Sequence, residues 1–412
     1  MLIAICMLTL SLQAQVMVDS AWHAEVKTVQ LYPSGSELEM PVLAMGGGGH
    51  LTLEFDILGA EAASPRWHIL HCDRQWRADG LEENEFLTGF AEGPVEEYEF
   101  SFTTLRDFVH YRTTLPSGFA EFTHSGNYIV VVEDENGNRL LTRRFYVSEQ
   151  SVGVRAEVTR PYDGMAIDRR QEVDVKVESR QRTMGDAQWL SVTVQQNGRL
   201  DNQRDLQFSG YDGDALCYRH RQSNVFDGGN TFRFFDCSNL QTPMYNVLRV
   251  EEYGGEQFVL LRPAEDRSRK HFLSETTLNG GMKVNIQNRN NPRLEADYVW
   301  VIFSLPMEQP MLEGSVYIVG ALTDWRMDSA SRMDYNAEHR AYTKRLLLKQ
   351  GYYAYQLLVV RGQWPKVDSL RSATAPLEGD HYETPNRYTV CVYQHSPSDR
   401  ADRLLAVQQV IR

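Results

Sequence analysis

The chain has 412 residues, 42% of them hydrophobic and 11% aromatic, with a formal net charge of −13. That length exceeds one sandwich and points to about two to four domains. The acidity is spread without a basic stripe, which excludes nucleic acid and anionic membrane surfaces as partners.

Residues 1–15 open with MLIAICMLTLSLQA, an apolar core ending at the small Ala14, and read as a secretory signal peptide without a basic start. The segment is short of the roughly 20 apolar residues that span a bilayer, and nothing later approaches that length, so no membrane insertion is expected. Beyond Cys6, the cysteines are Cys72, Cys217, Cys237 and Cys391. Sequence leaves their three possible pairings open. Cys217 and Cys237 fall in one candidate domain and could bridge in an oxidising compartment. Cys72 and Cys391 read as buried small hydrophobes.

The first strands are expected over residues 26–31, 40–43 and 51–58, with a turn at Tyr32-Pro33-Ser34-Gly35. Gly46 to Gly49 are four consecutive glycines, but they enter a strand and lack the Lys and hydroxyl residue of a phosphate loop. In residues 67–72 Trp67, Ile69 and His71 alternate with His68, Leu70 and Cys72, a pattern of burial on both faces. His71 and Asp73 then share one face while His68 and Cys72 share the other, so no three of them converge on a metal. His71 and Cys72 point apart, which speaks against a nucleophile pair. Trp76 is expected to close the core edge. Residues 82–90 are the one candidate for a short helix. Tyr98, Phe100 and Phe102 alternate with Glu99 and Ser101, as in a strand covered on one side. Ser125-Gly126-Asn127 leads into a strand over 128–132, and Asn136-Gly137 predicts a two-residue hairpin turn returning along 140–147.

The ordered series formed by these residues resembles the plug protein family of the Bacteroidetes type IX secretion system. It runs from His71-Cys72-Asp73 with Trp76, through Glu85-Phe86-Leu87 with Gly89-Phe90, to Tyr98-Glu99-Phe100-Ser101-Phe102 with Thr104. His110-Tyr111 with Pro116, Ser125-Gly126-Asn127-Tyr128 and Thr142-Arg143-Arg144-Phe145 complete it. The resemblance continues through the later domains and covers nearly the whole mature chain. It implies a protein without catalysis or cofactor, periplasmic and held at the outer membrane through its partner. That partner would be the large translocon barrel (SprA/Sov-type), whose pore the plug closes from the periplasmic side when no cargo is present. The signature residues carry no known chemistry and are expected to be structural.

Ser148-Glu149-Gln150-Ser151 is a polar break, which places the first boundary at residue 150. Alternation over 172–177 and 190–194, with a turn at Asn197-Gly198, predicts a second sandwich over 151–306. Within it Gly228-Gly229-Asn230 resembles a further family hallmark, whose glycines bend the backbone between paired strands. Residues 297–305 (DYVWVIFSL) read as its last strand, and Pro306 and Pro310 bracket a linker. Residues 307–412 form the third domain, with Thr323-Asp324-Trp325, Gly351-Tyr352-Tyr353-Ala354-Tyr355-Gln356 and Gly362-Gln363-Trp364. Their order resembles early-set sandwiches such as glycogen-binding modules. That resemblance implies a glycan stacked on Trp325 and Trp364, the alternative being an exported carbohydrate-binding protein; Gln356 stands where a basic residue is usual. The expected architecture is all-β, three immunoglobulin-like or early-set β-sandwiches in series. Acidic doublets such as Glu82-Glu83 and Glu96-Glu97 read as solvated loops, and with no nucleophile elbow or zinc-binding helix motif an enzyme is not expected.

Overall fold

The computed structural model describes residues 16–162, 167–179, 187–220, 223–275, 278–312, 314–361 and 371–412. The signal segment 1–15 and Trp364 lie outside the described residues. Nearly every regular element is a strand, arranged as packed antiparallel sheets in three β-sandwiches.

In the first domain one sheet carries Val26–Pro33, Leu51–Leu58, Phe108–Leu115 and the edge strand Glu97–Phe100. The facing sheet is built on Arg66–Cys72, Gly126–Glu133 and Arg139–Ser148, with Val42–Ala44 running parallel to the last. Alternation puts Trp67 and Ile69 into the core with Phe55, Tyr111, Tyr128 and Phe145. On the other face Leu70 and Cys72 pack with Ile129, Val131 and Met17. The Asn136-Gly137 hairpin differs from expectation. Asp134 and Asn138 close the loop, and only Gly137 has positive φ. A two-residue turn of the expected type needs two such residues, so the connection has three residues with glycine in the left-handed position. Helix is confined to Glu83–Phe86 in this region, where the chain turns directly into the short strand Leu87–Thr88.

The largest departure from the sequence reading is the order of the other two domains. Leu190–Gln196 pairs along its whole length with Arg387–Gln394, from Leu190↔Gln394 to Gln196↔Tyr388. Val192, Val194, Tyr388, Val390 and Val392 thereby share one core with Val173, Val175 and Val177. The second domain is therefore built from 152–227 and closed by 387–412. The third is inserted between them, and the series is a nest. Residues 297–305 do not end the second domain. Tyr298–Pro306 pairs with Ala341–Lys349 inside the third, where Phe235, Phe303, Tyr353 and Tyr355 pack in the core. Its other sheet is centred on the long strand Gly351–Arg361. Domain boundaries at 306 and 307 are replaced accordingly.

Candidate functional site

Several of the signature residues, among them Asp73, Trp76, Asn127 and Gly228, converge on the joints between domains. Asp73 forms a tight turn, its Oδ1 accepting the N–H groups of Gln75 and Arg77, both at 2.9 Å. The turn lifts Trp76 into a left-handed conformation (φ 63). Trp76 does not close the first core. It packs between domains with Tyr146, Cys391, Tyr393 and Leu404. Asn127 donates to the Asp73 carbonyl at 3.0 Å and accepts from the Tyr393 hydroxyl at 2.8 Å. Glu149 receives both Arg403 (2.8 and 2.9 Å) and Ser125 (3.0 Å), while Asp402 accepts the Arg74 N–H at 2.7 Å. His71 lies behind this joint, paired with Asp79 at 2.6 Å and edge-on to Tyr128. A Cβ on Gly126 would overlap the His71 ring. Tyr111, stacked on Phe55, and Ser101, which accepts the Phe108 N–H at 3.0 Å, serve the first domain itself.

The joint between first and third domains is ionic and buried. Asp56 projects from the outward face of Leu51–Leu58. Its Oδ2 accepts from Lys349 Nζ and the Tyr298 hydroxyl, each at 2.6 Å, and its Oδ1 lies 2.7 Å from His110 Nδ1. Asp56 and Lys349 are both 1% exposed, so the pair has left water entirely. Burial alone would raise the Asp56 pKa, but Lys349 and His110 outweigh it and hold the carboxyl below its usual range. Lys349 also lies over the Phe108 ring at 3.9 Å. A second clasp joins Arg143 to Asp324 at 2.5 Å, and Asp324 accepts the Ala21 N–H at 3.2 Å.

Between second and third domains lies Gly228-Gly229-Asn230, where the chain leaves one sandwich for the other. A Cβ on Gly228 would overlap the carbonyls of His381 and Arg169, so backbone passes backbone here. The returning segment is stitched to the outgoing one. Asn386 donates to Gly228 O at 2.7 Å, Thr384 to Gly229 O at 2.9 Å, and Asn230 to Glu378 O at 2.7 Å. Gln356, which the glycogen-binding comparison marked as a departure, donates to Asn230 O at 2.7 Å. Asn197 donates to Asn386 at 2.8 Å and accepts the Arg387 N–H at 2.9 Å, so the Asn197-Gly198 turn holds the same return.

This joint contains a titratable group. Asp380 accepts the Gly229 N–H at 2.9 Å, and burial, with Asp227 nearby, pushes its pKa up to about 6. The folded value lies above the unfolded one of about 3.9, so the folded chain holds a proton that the unfolded chain gives up. Its stabilisation is complete below about pH 4 and is lost as pH rises through about 6. In urea unfolding, any advantage of Asp380→Asn over wild type should grow by about 1–2 kcal/mol from about pH 4 to about pH 8. A difference independent of pH would show that Asp380 titrates as in the unfolded chain.

All three domains border a cavity of about 480 Å³, with Trp76, Arg144 and Tyr146 on one side, Asn197 and Arg387 on another, and Trp325 on the third. Trp325 is half-buried, its ring edge-on to Phe232 at 6.0 Å and against Gly280. It is wedged in the junction, away from the open sandwich face that a stacking platform needs. The four described cysteines are free and buried. Cys217 and Cys237 sit in different sandwiches, and burial pushes the Cys237 and Cys391 thiols up to about 12. Among the described residues no group of three or more His, Cys, Asp or Glu is placed to hold a metal, and no helix is long and apolar enough to cross a membrane.

Two signature residues do not fit a packing role. Phe90 is 78% exposed and Tyr98 is 48% exposed, with Phe100 and Phe102 uncovered beside Tyr98. The strand over 97–100 lies at a sheet edge that the facing sheet does not cover, so its aromatic face meets solvent. Alternation alone cannot reveal whether a covering layer exists.

Over residues 26–149 the chain matches the family model for the type 9 secretion system plug protein 1st domain. No curated protein matches. Among solved structures, the crystal structure of a hypothetical protein from Parabacteroides merdae ATCC 43184 superposes at TM-score 0.92 with 28% identity, covering 97% of this chain and 100% of that one. The nested arrangement thus persists where most positions differ. The BSP domain of a biofilm associated protein, at TM-score 0.14 and 6% identity over 96% of this chain and 67% of that one, carries no argument. The stretch holding the Asp73 turn, Trp76 and the strands around them belongs to the first-domain family of type 9 secretion system plug proteins.

Proposed function

We propose that the protein is a non-catalytic periplasmic plug that binds the periplasmic side of the type IX outer-membrane translocon barrel (SprA/Sov-type) and seals its pore when no cargo is present. The reading rests on the family match over residues 26–149. The observation that carries it is mechanical: buried ion pairs and side-chain hydrogen bonds weld three sandwiches into one body, and signature residues such as Trp76, Asn127 and Gly228 lie at two of the welds. Ordinary interdomain contacts permit relative motion, which would let a stopper leak. A wide barrel lumen passes solutes unless a stiff body blocks it.

The test is deletion of the gene in its native host, with uptake of a large antibiotic normally excluded by the outer membrane as readout. The deletion should admit the antibiotic and complementation should exclude it again. An envelope as tight as before would refute sealing. Recovery of the barrel protein with the tagged chain from outer-membrane extracts tests the binding separately.

A further inference from the structure

The short strands Leu87–Thr88 and Glu121–Phe122 pair as a two-stranded ribbon, with Leu87↔Phe122 and Thr88↔Glu121 in register. Their inner ends are anchored, because Phe86, Leu87 and Phe122 belong to the first core. One residue further out, Gly89 lies against Ala120 so closely that an added Cβ would touch the alanine methyl. The two chains then present Phe90, 78% exposed, and Phe119, fully exposed. Two bare phenylalanines on a ribbon rooted in a core cost solvation and gain nothing within this chain. Large aromatics on a pre-ordered support are the residues that anchor protein interfaces.

Charge selects the kind of partner. Between Ala78 and Leu105 the chain carries eight carboxylates and no lysine or arginine. Glu83, Glu92 and Glu121 around the ribbon are all exposed. Such a rim is repelled by anionic lipid and, at a net charge of −13 per chain, by a second copy. It is attracted to a protein surface with lysines and arginines around an apolar hollow.

We infer that the Phe90–Phe119 ribbon tip is the docking element of this protein, inserted into an apolar pocket rimmed by basic residues on its protein partner. The inference rests on the plug reading and places that pocket on the translocon barrel. The closing experiment uses the full chain in native cells, with the photo-crosslinker p-benzoylphenylalanine in place of Phe119 or, as a control on the second domain, of Tyr211. Alongside it, barrel recovery and affinity are compared for wild type and Phe90→Ala/Phe119→Ala, whose exposed sites leave folding intact. Crosslinking to the barrel from position 119 and not 211, with affinity reduced at least about tenfold in the double variant, is the expected result. Equal capture of the barrel by wild type and variant would overturn the ribbon inference and leave the plug reading standing. Failure of the wild type to capture the barrel would overturn both. Binding of wild type but not variant to phosphatidylethanolamine–phosphatidylglycerol vesicles would assign the tip to lipid and also overturn the inference.

Discussion

Replacing Lys349 with Met should destabilise the protein by about 3–5 kcal/mol at neutral pH, because the neutral side chain leaves the Asp56 carboxylate buried without its cation. Met keeps the length and apolar stem of Lys, so packing against Phe108 survives and the loss is electrostatic. His110 and Tyr298 still reach Asp56 and set the lower end of the range. The pH dependence identifies the cause. In the wild type the Asp56 pKa is held low. Its stabilisation is therefore full above the unfolded value of about 3.9 and lost as pH falls through the lower folded value. In Lys349→Met burial acts with less opposition and the carboxyl takes up a proton earlier on acidification, so the gap to wild type should narrow as pH falls. Guanidinium unfolding at several pH values measures this. A deficit that stays constant would assign the loss to packing. Asp56→Asn/Lys349→Met removes both charges and should recover part of the single variant's loss.

Glu378→Gln should cost a similar amount, about 3–5 kcal/mol, through loss of a buried charge hub. The carboxylate is 0% exposed. Its Oε1 accepts from Arg233 Nε at 2.9 Å and Leu357 N–H at 2.8 Å, and its Oε2 from Arg267 Nε at 2.8 Å. Burial pushes its pKa up, and the two arginines more than reverse the shift. Glutamine keeps the shape but removes the negative charge and turns an N–H₂ toward a guanidinium. Two cations then lose their counter-charge. The third domain unfolds first in this account, so proteolysis between 231 and 385 should appear before cleavage within 26–149. Simultaneous cleavage of both regions would show that the three domains unfold as one unit.

The strands were legible because alternation is local: Arg66–Cys72, Leu51–Leu58 and Leu190–Gln196 stand where period two over 67–72, 51–58 and 190–194 places them, to within two residues. The nesting was not. A strand such as YTVCVY carries no mark of which sheet receives it, and its partner at 190–196 lies a whole domain away. Asp56 and Lys349 were hidden for a related reason. Charged residues alternating with Leu53, Phe55 and Ile57 read as a wetted face, and only the assembled molecule shows another domain lying over it. The signature residues were visible as a set, yet their common purpose was not. His71, Asp73 and Asn127 looked like parts of one sandwich, and Gly228 like a bend, until Tyr393, Leu404 and His381 arrived beside them. Tyr98 misled in the opposite direction, since an aromatic in a strand reads as core.

The interleaving of one sandwich inside another constrains how the molecule is assembled. A chain emerging amino-end first can finish its opening sandwich once Ser148 has appeared. The middle one then waits, with the Leu190–Gln196 edge unpaired and Val192 and Val194 bare, until the whole inserted unit has passed and Arg387–Ile411 comes through. An open apolar edge of this kind recruits foreign strands. The closing pair of strands is a keystone, and its arrival ends the period in which the newborn chain is vulnerable to aggregation.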